Sequence, residues 1–150
     1  MTANAATPIP RFDIFHKYDA LTELLREYAA AHPSLVSIAS IGKSFEGRDI
    51  WVATVTNTET GPDTDKPAFW ADGNIHAAEL TASTAVLYYL HQLVGSYGRD
   101  SQVTQLLDTR VVYLCPRLNP DGAELALAEV PRHIRSGTRR YPFDEEPVDG

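Results

Sequence analysis

The chain is expected to adopt an α/β fold, a mixed and mostly parallel sheet flanked by helices, on three observations. Segments with strand-like and helix-like periods alternate along its length, without repeats or low-complexity tracts. One segment, KPAFWAD at 66–72, is short and almost wholly apolar, the composition of a strand buried on both faces. A second strand-like run, RVVYLCPR at 110–117, follows it after two helical segments, which makes a βαβ pattern.

The elements follow in order. Residues 1–10 read as a loose arm. Tyr18 to Ala31 is a helix in which Leu21, Leu24, Leu25 and Tyr28 recur at helical spacing; Asp19 is placed as its cap, and His32-Pro33 ends it. LVSIASIGKSF and RDIWVATVT, on either side of Glu46-Gly47, are expected to pair as an antiparallel hairpin. The strand at 66–72 comes next, then a helix over Leu80 to Val94 with Ala82, Val86, Tyr89, Leu90 and Leu93 on its apolar face. A shorter helix spans Gln102 to Leu107. After the strand at 110–117, Asn119-Pro120-Asp121-Gly122 opens a last helical stretch, AELALAE, with Pro120 fixing φ and Gly122 freeing it.

At 150 residues the chain is long enough for one domain with a real core. Thirteen Lys+Arg against twenty Asp+Glu leave a formal net charge of −7, which gives no global attraction to nucleic acid or anionic membrane, so neither is expected as a partner. The single cysteine, Cys115, lies in the apolar run VVYLC and is assigned to the core. The N-terminal segment MTANAATPIPRFD lacks the basic start and apolar stretch of a secretory signal, and a cytoplasmic location is the expectation.

Chemistry concentrates at FWADGNIHAAELTAS, residues 69–83, where a strand runs into a helix. If the helix begins at Ala77 to Leu80, His76 and Glu79 form an i, i+3 pair with roughly 5–6 Å between Cβ atoms, close enough to hold one ion. Imidazole nitrogen and carboxylate oxygen are both zinc ligands at roughly 2.0–2.2 Å. The alternative is structural: Glu79 favours the positive end of the helix, and His76 is a cap or a surface residue.

Four segments bear on that choice: IGKSFEGRDIWV, KPAFWADGNIHAAE, RVVYLCPRLNPDGAEL and RHIRSGTRRYP. In this order and spacing, from Tyr18 onward, the chain resembles the zinc metallocarboxypeptidases, the carboxypeptidase A-like family, and especially its bacterial members. The resemblance implies one α/β domain with an eight-stranded mixed sheet and one catalytic zinc, Zn2+. Residue by residue, His76 and Glu79 match the first two zinc ligands. Arg135 matches the arginine that polarises the scissile carbonyl, a task suited to a permanently charged fork of donors; its alternative is a solvated cluster with Arg132, Arg139 and Arg140. The NPDG turn is read as architecture. Arg48 of the GKSFEGR segment is expected to make a structural ion pair, with Gly47 supplying hairpin geometry. Ala78 stands where digestive members carry an arginine, so substrate binding is expected to differ from theirs.

The same resemblance places the third zinc ligand, a histidine, the glutamate general base, an Asn-Arg pair that grips the substrate carboxylate and a substrate-binding tyrosine beyond Gly150. Residues 1–150 are therefore expected to be the N-terminal half of one catalytic domain, inactive alone, with a peptide substrate and the C-terminal half of the same domain as partners. His91 lies about 22 Å along its helix from His76, at roughly 1.5 Å per residue, and cannot serve as the missing ligand. His133 sits among arginines; His16 is read as a surface residue and His32 as a cation at a helix C-terminus. The expected function is hydrolysis of C-terminal peptide bonds by metal-activated water. Two other readings stay open, a zinc-dependent deacylase or amidohydrolase of related fold and a non-catalytic binding module.

Overall fold

The structure, a computed structural model, describes residues 6–139. Its element order is α1 (Tyr18–Ala31), β1 (Val36–Lys43), β2 (Asp49–Val55), two short 3₁₀ turns (Thr58–Thr60 and Asp63–Asp65), β3 (Ala68–Asp72), α2 (Leu80–Ser96), α3 (Ser101–Thr109), β4 (Val111–Cys115) and α4 (Pro120–Ala126). The strands form one sheet in the order β1-β2-β4-β3. The sheet is mixed, as expected, but within it antiparallel pairing prevails. β1 with β2 and β2 with β4 run antiparallel, and only β3 with β4 is parallel. The reason is topological: the hairpin enters the sheet as a unit and brings β2 against β4, so a single crossover through α2 and α3 supplies the one parallel pair.

The expectation for 66–72 is corrected. β3 is not buried on both faces; it lies at the end of the strand order, and Phe69 and Trp70 are 57% and 46% exposed. The doubly buried strand is β4, where Val111, Val112, Leu114 and Cys115 are all buried between β2 and β3. Both runs are apolar, and only strand order separates them. Cys115 is a core residue, its thiol pushed up to about 11 by burial.

The core gathers Leu21, Leu25 and Tyr28 of α1, Ala53 and Val55 of β2, Val86, Leu87 and Leu90 of α2, Leu107 of α3 and Leu114 of β4. α1 has the expected bounds, but Asp19 does not cap it. Lys17 holds the N-cap position without a side-chain bond, and the Tyr18 N–H donates instead to the Glu124 carboxylate of α4 at 2.7 Å. A partner more than a hundred residues away replaces the local cap. At the other end, His32 is not the expected cation: burial lowers its pKa, and its Nε2 lies 2.7 Å from Thr7 Oγ1. The described part of the N-terminal arm has no regular structure, yet Pro10 is buried and the Pro8 carbonyl accepts from the Tyr28 hydroxyl at 3.3 Å. The same hydroxyl lies 2.7 Å from His91 Nδ1, which ties that half-buried histidine of α2 to α1. α3 is capped by Asp100, whose carboxylate accepts from the Gln102 and Val103 N–H groups. No helix among the described residues is long and apolar enough to cross a membrane.

Candidate functional site

The parallel ladder places the site. Asp72 stands opposite Cys115 at the carboxyl ends of β3 and β4, and the pairing continues past both strands: the Gly73 N–H donates to the Cys115 carbonyl at 3.0 Å, Leu118 N–H to Gly73 at 3.0 Å and Asn119 N–H to Asn74 at 3.1 Å. Gly73 is required here, because a Cβ would come within 2.6 Å of the Ala82 carbonyl on α2. The chain then turns sharply through Asn74, which has a φ of 58° and is 1% exposed. That left-handed conformation is one that asparagine tolerates better than most side chains.

Residues 75–79 form the turn between β3 and α2. The helix begins at Leu80, so His76 and Glu79 meet on this turn, with Glu79 at the N-cap, rather than within the helix. The Glu79 N–H donates to the His76 carbonyl at 3.1 Å, and His76 Nδ1 lies 2.9 Å from Glu79 Oε2. The side chains are 31% and 60% exposed, so both heads face outward and converge. An imidazole nitrogen and a carboxylate oxygen side by side at the mouth of a sheet are a donor set that fits zinc in kind. Among the described residues no group of three or more His, Cys, Asp or Glu assembles, so the pair falls one short of the three protein donors a catalytic zinc uses.

Arg135 reaches the same place through its main chain. Its carbonyl accepts from the Ala77 N–H at 3.0 Å, and the neighbouring Ser136 carbonyl accepts from Asn119 Nδ2 at 3.2 Å. Arg135 is exposed and its main chain abuts the His76–Glu79 turn, whereas the main chain of Arg132, also exposed, is tied to α4 by its N–H donating to the Leu125 carbonyl. Arg140 and the acidic stretch 141–150 lie outside the described residues. His133 is exposed, and His16 Nε2 lies 2.8 Å from the Arg11 carbonyl.

NPDG is architecture, and its parts divide the work. Asn119 caps α4, its Oδ1 accepting from the Gly122 N–H at 3.0 Å, while Pro120 takes the first helical turn. A Cβ on Gly122 would overlap that of Ala77, so glycine lets α4 sit directly under the candidate ligand turn. Asp121, 4% exposed, accepts from Ser44 Oγ at 2.7 Å, the Glu46 N–H at 2.9 Å and Arg48 Nη1 at 2.7 Å. Arg48 is therefore a structural ion-pair partner, shared with Glu46 at 2.6 Å, and Gly47 at φ +83° turns the hairpin. Asn74 and the buried Arg117 are the residues sequence reasoning missed. The Gly73-Asn74 dipeptide, one residue short of His76, is a turn signal that could have pointed to the first.

Ligand-type side chains beyond the carboxyl end of a parallel strand are where open α/β folds place their sites. Comparison with known proteins identifies the class. The zinc carboxypeptidase family model matches residues 21–144, and the chain belongs to that family. It is 35% identical over 111 residues to carboxypeptidase A2 of Rattus norvegicus, a match covering 74% of this chain and 25% of the relative. It is 29% identical over 114 residues to a zinc carboxypeptidase of Saccharothrix mutabilis subsp. capreolus, covering 76% and 26%. Among solved structures, carboxypeptidase A from Helicoverpa armigera superposes with a TM-score of 0.78 at 27% identity, over 98% of this chain and 34% of that one. The chain thus spans about a quarter of the length of the curated relatives it matches.

Proposed function

We propose that this chain carries the first two zinc ligands, His76 and Glu79, of a metallocarboxypeptidase that hydrolyses C-terminal peptide bonds. The observation that carries the reading is the convergence of His76 Nδ1 and Glu79 Oε2 to 2.9 Å on an exposed turn at the carboxyl end of β3, in a chain of the zinc carboxypeptidase family. When bound, zinc supplies Lewis-acid polarisation and a nucleophilic water at neutral pH. The third donor is expected from a histidine beyond Gly150. His76 binds through a neutral nitrogen and Glu79 through its carboxylate, both already turned toward one point. The Arg135 guanidinium donates to the carbonyl oxygen of the bond being cut, as negative charge builds there. Ala78, small and uncharged between the ligands, stands where digestive relatives carry an arginine, so substrate binding here differs from theirs.

Metal analysis of the full-length protein tests the assignment. Near-stoichiometric zinc is expected, with release of C-terminal residues from blocked dipeptides, and both should be lost in His76→Ala. Full zinc retention by that variant removes His76 from the site.

A further inference from the structure

Asn74 lies two residues before His76, yet its side chain is turned away from the exposed pair and into the fold. Its Nδ2 donates to two successive carbonyls, His76 at 2.9 Å and Ala77 at 3.0 Å, while its own carbonyl accepts from the Asn119 N–H at 3.1 Å. Asn119 Nδ2 in turn spans the Ile75 carbonyl at 3.4 Å and Ser136 at 3.2 Å, and the Ala77 N–H donates to Arg135. One buried amide thus holds the main chain of the candidate ligand from beneath, and a second clamps that turn to the 135–136 segment. The residue sits at a φ of 58°, a conformation costly for most side chains, and without its amide the His76 carbonyl would keep only the Glu79 N–H while the Ala77 carbonyl would lose its donor at the foot of the turn.

We infer that Asn74 is a positioning residue for the metal pair, and that through Asn119 it sets the turn bearing His76 and Glu79 in register with the main chain of Arg135. The inference rests on the proposed zinc site but is separable from it, since the network runs through side-chain amides and main-chain carbonyls and not through the imidazole of His76 or the carboxylate of Glu79. Two demands fall on one position, a left-handed backbone and two amide protons. Glycine meets the first demand alone. Aspartate tolerates the backbone but presents oxygens on both sides, so its carboxylate would oppose the two carbonyls. Alanine meets neither.

Zinc affinity and hydrogen exchange of the full-length protein should therefore be measured for the wild type and for Asn74→Gly, Asn74→Ala and Asn74→Asp, well below each variant's unfolding temperature. The expected result is a graded loss. Asn74→Gly keeps its fold and binds zinc roughly tenfold more weakly, within the 10–100-fold range typical when support behind a ligand is removed, and Ala and Asp lose more. Exchange at the Ala77 and Asn119 N–H groups should quicken in all three variants while α2 and β4 stay protected. Wild-type affinity and unchanged exchange in Asn74→Gly would overturn the inference, whatever Ala and Asp do. A wild type that binds no zinc overturns the proposed function instead; the inference is then decided by the exchange data, with unchanged exchange in Asn74→Gly defeating it.

Discussion

Arg135 joins the site by an atom its charge gives no hint of. The carbonyl, rather than the guanidinium, makes the contact with Ala77, and this brings an exposed cation to the edge of the His76–Glu79 turn. If the guanidinium serves an oxyanion that exists only after attack, its removal should act on kcat more than on KM. In the full-length enzyme, Arg135→Ala should lower kcat by roughly a hundredfold or more, the usual loss for one oxyanion donor, with a smaller change in KM. Arg135→Lys should recover little, because an ammonium lacks the planar fork. Unchanged kcat in Arg135→Ala would reduce the residue to its main-chain contact and move attention to Arg132 and Arg139. The histidine and glutamate were legible because an i, i+3 pair is a local feature, whereas the neighbouring asparagine was not, since its partners are carbonyls that only a folded turn brings beneath it.

Between elements, the strongest link is polar. Asp121, at the start of α4, reaches across to the β1–β2 hairpin and satisfies Ser44, the Glu46 N–H and Arg48 together. Because α4 lies against Ala77 at Gly122, the hairpin, the helix and the candidate ligand turn are braced as one unit. Removing Asp121 leaves Arg48 partly exposed and still paired with Glu46, but deprives Ser44 Oγ and the Glu46 N–H of their acceptor, and an unsatisfied donor costs roughly 1–3 kcal/mol. Asp121→Ala should therefore destabilise by about 2 kcal/mol in denaturant unfolding, and Asp121→Asn, which retains an acceptor, by less. A change within about 0.5 kcal/mol for Asp121→Ala, the range of ordinary surface substitutions, would show that the brace contributes nothing. A second link is less even. Arg117, 5% exposed, donates to the His16 carbonyl at 2.7 Å and stands 3.7 Å from Glu124, the carboxylate that also receives the first N–H of α1. Burial pushes its guanidinium down to about 10, so this cation is held at an electrostatic cost while Glu124 substitutes for the missing cap.

Across the whole molecule, the sheet is unevenly covered. α1 packs against β1 and β4 is enclosed, but β1 and β3 each pair on one side only among the described strands, and β3 exposes the large apolar side chains Phe69 and Trp70. A groove of about 410 Å³ beside it is lined by Pro67, Phe69, Tyr89, Leu106 and Val112. An apolar strand with an open hydrogen-bonding edge is a template for association. The 150-residue chain expressed alone should self-associate in analytical ultracentrifugation, and Phe69→Lys with Trp70→Lys should shift it toward monomer. A monodisperse, monomeric wild-type chain at high micromolar concentration would count against an adhesive edge.

Periodicity, turn residues and the spacing of two ligand-type side chains, all properties of a few consecutive residues, were enough to place α1 with its bounds, the hairpin, the helix-opening role of NPDG and the His76–Glu79 pair. The matched order of four short segments was enough for the family. Three other features needed the folded chain. The first is that KPAFWAD is the exposed strand and VVYLC the enclosed one, because two apolar runs of similar length look alike until strand order is known. The second is that Glu124 rather than Asp19 meets the start of α1, since a backbone donor takes whichever acceptor packing brings nearest. The third is the polar network of the buried Asn74 and Asp121 with the half-buried Asn119, whose partners lie up to 77 residues away in the chain; hydrogen bonds of that separation leave no local pattern and form only when the chain has folded around them.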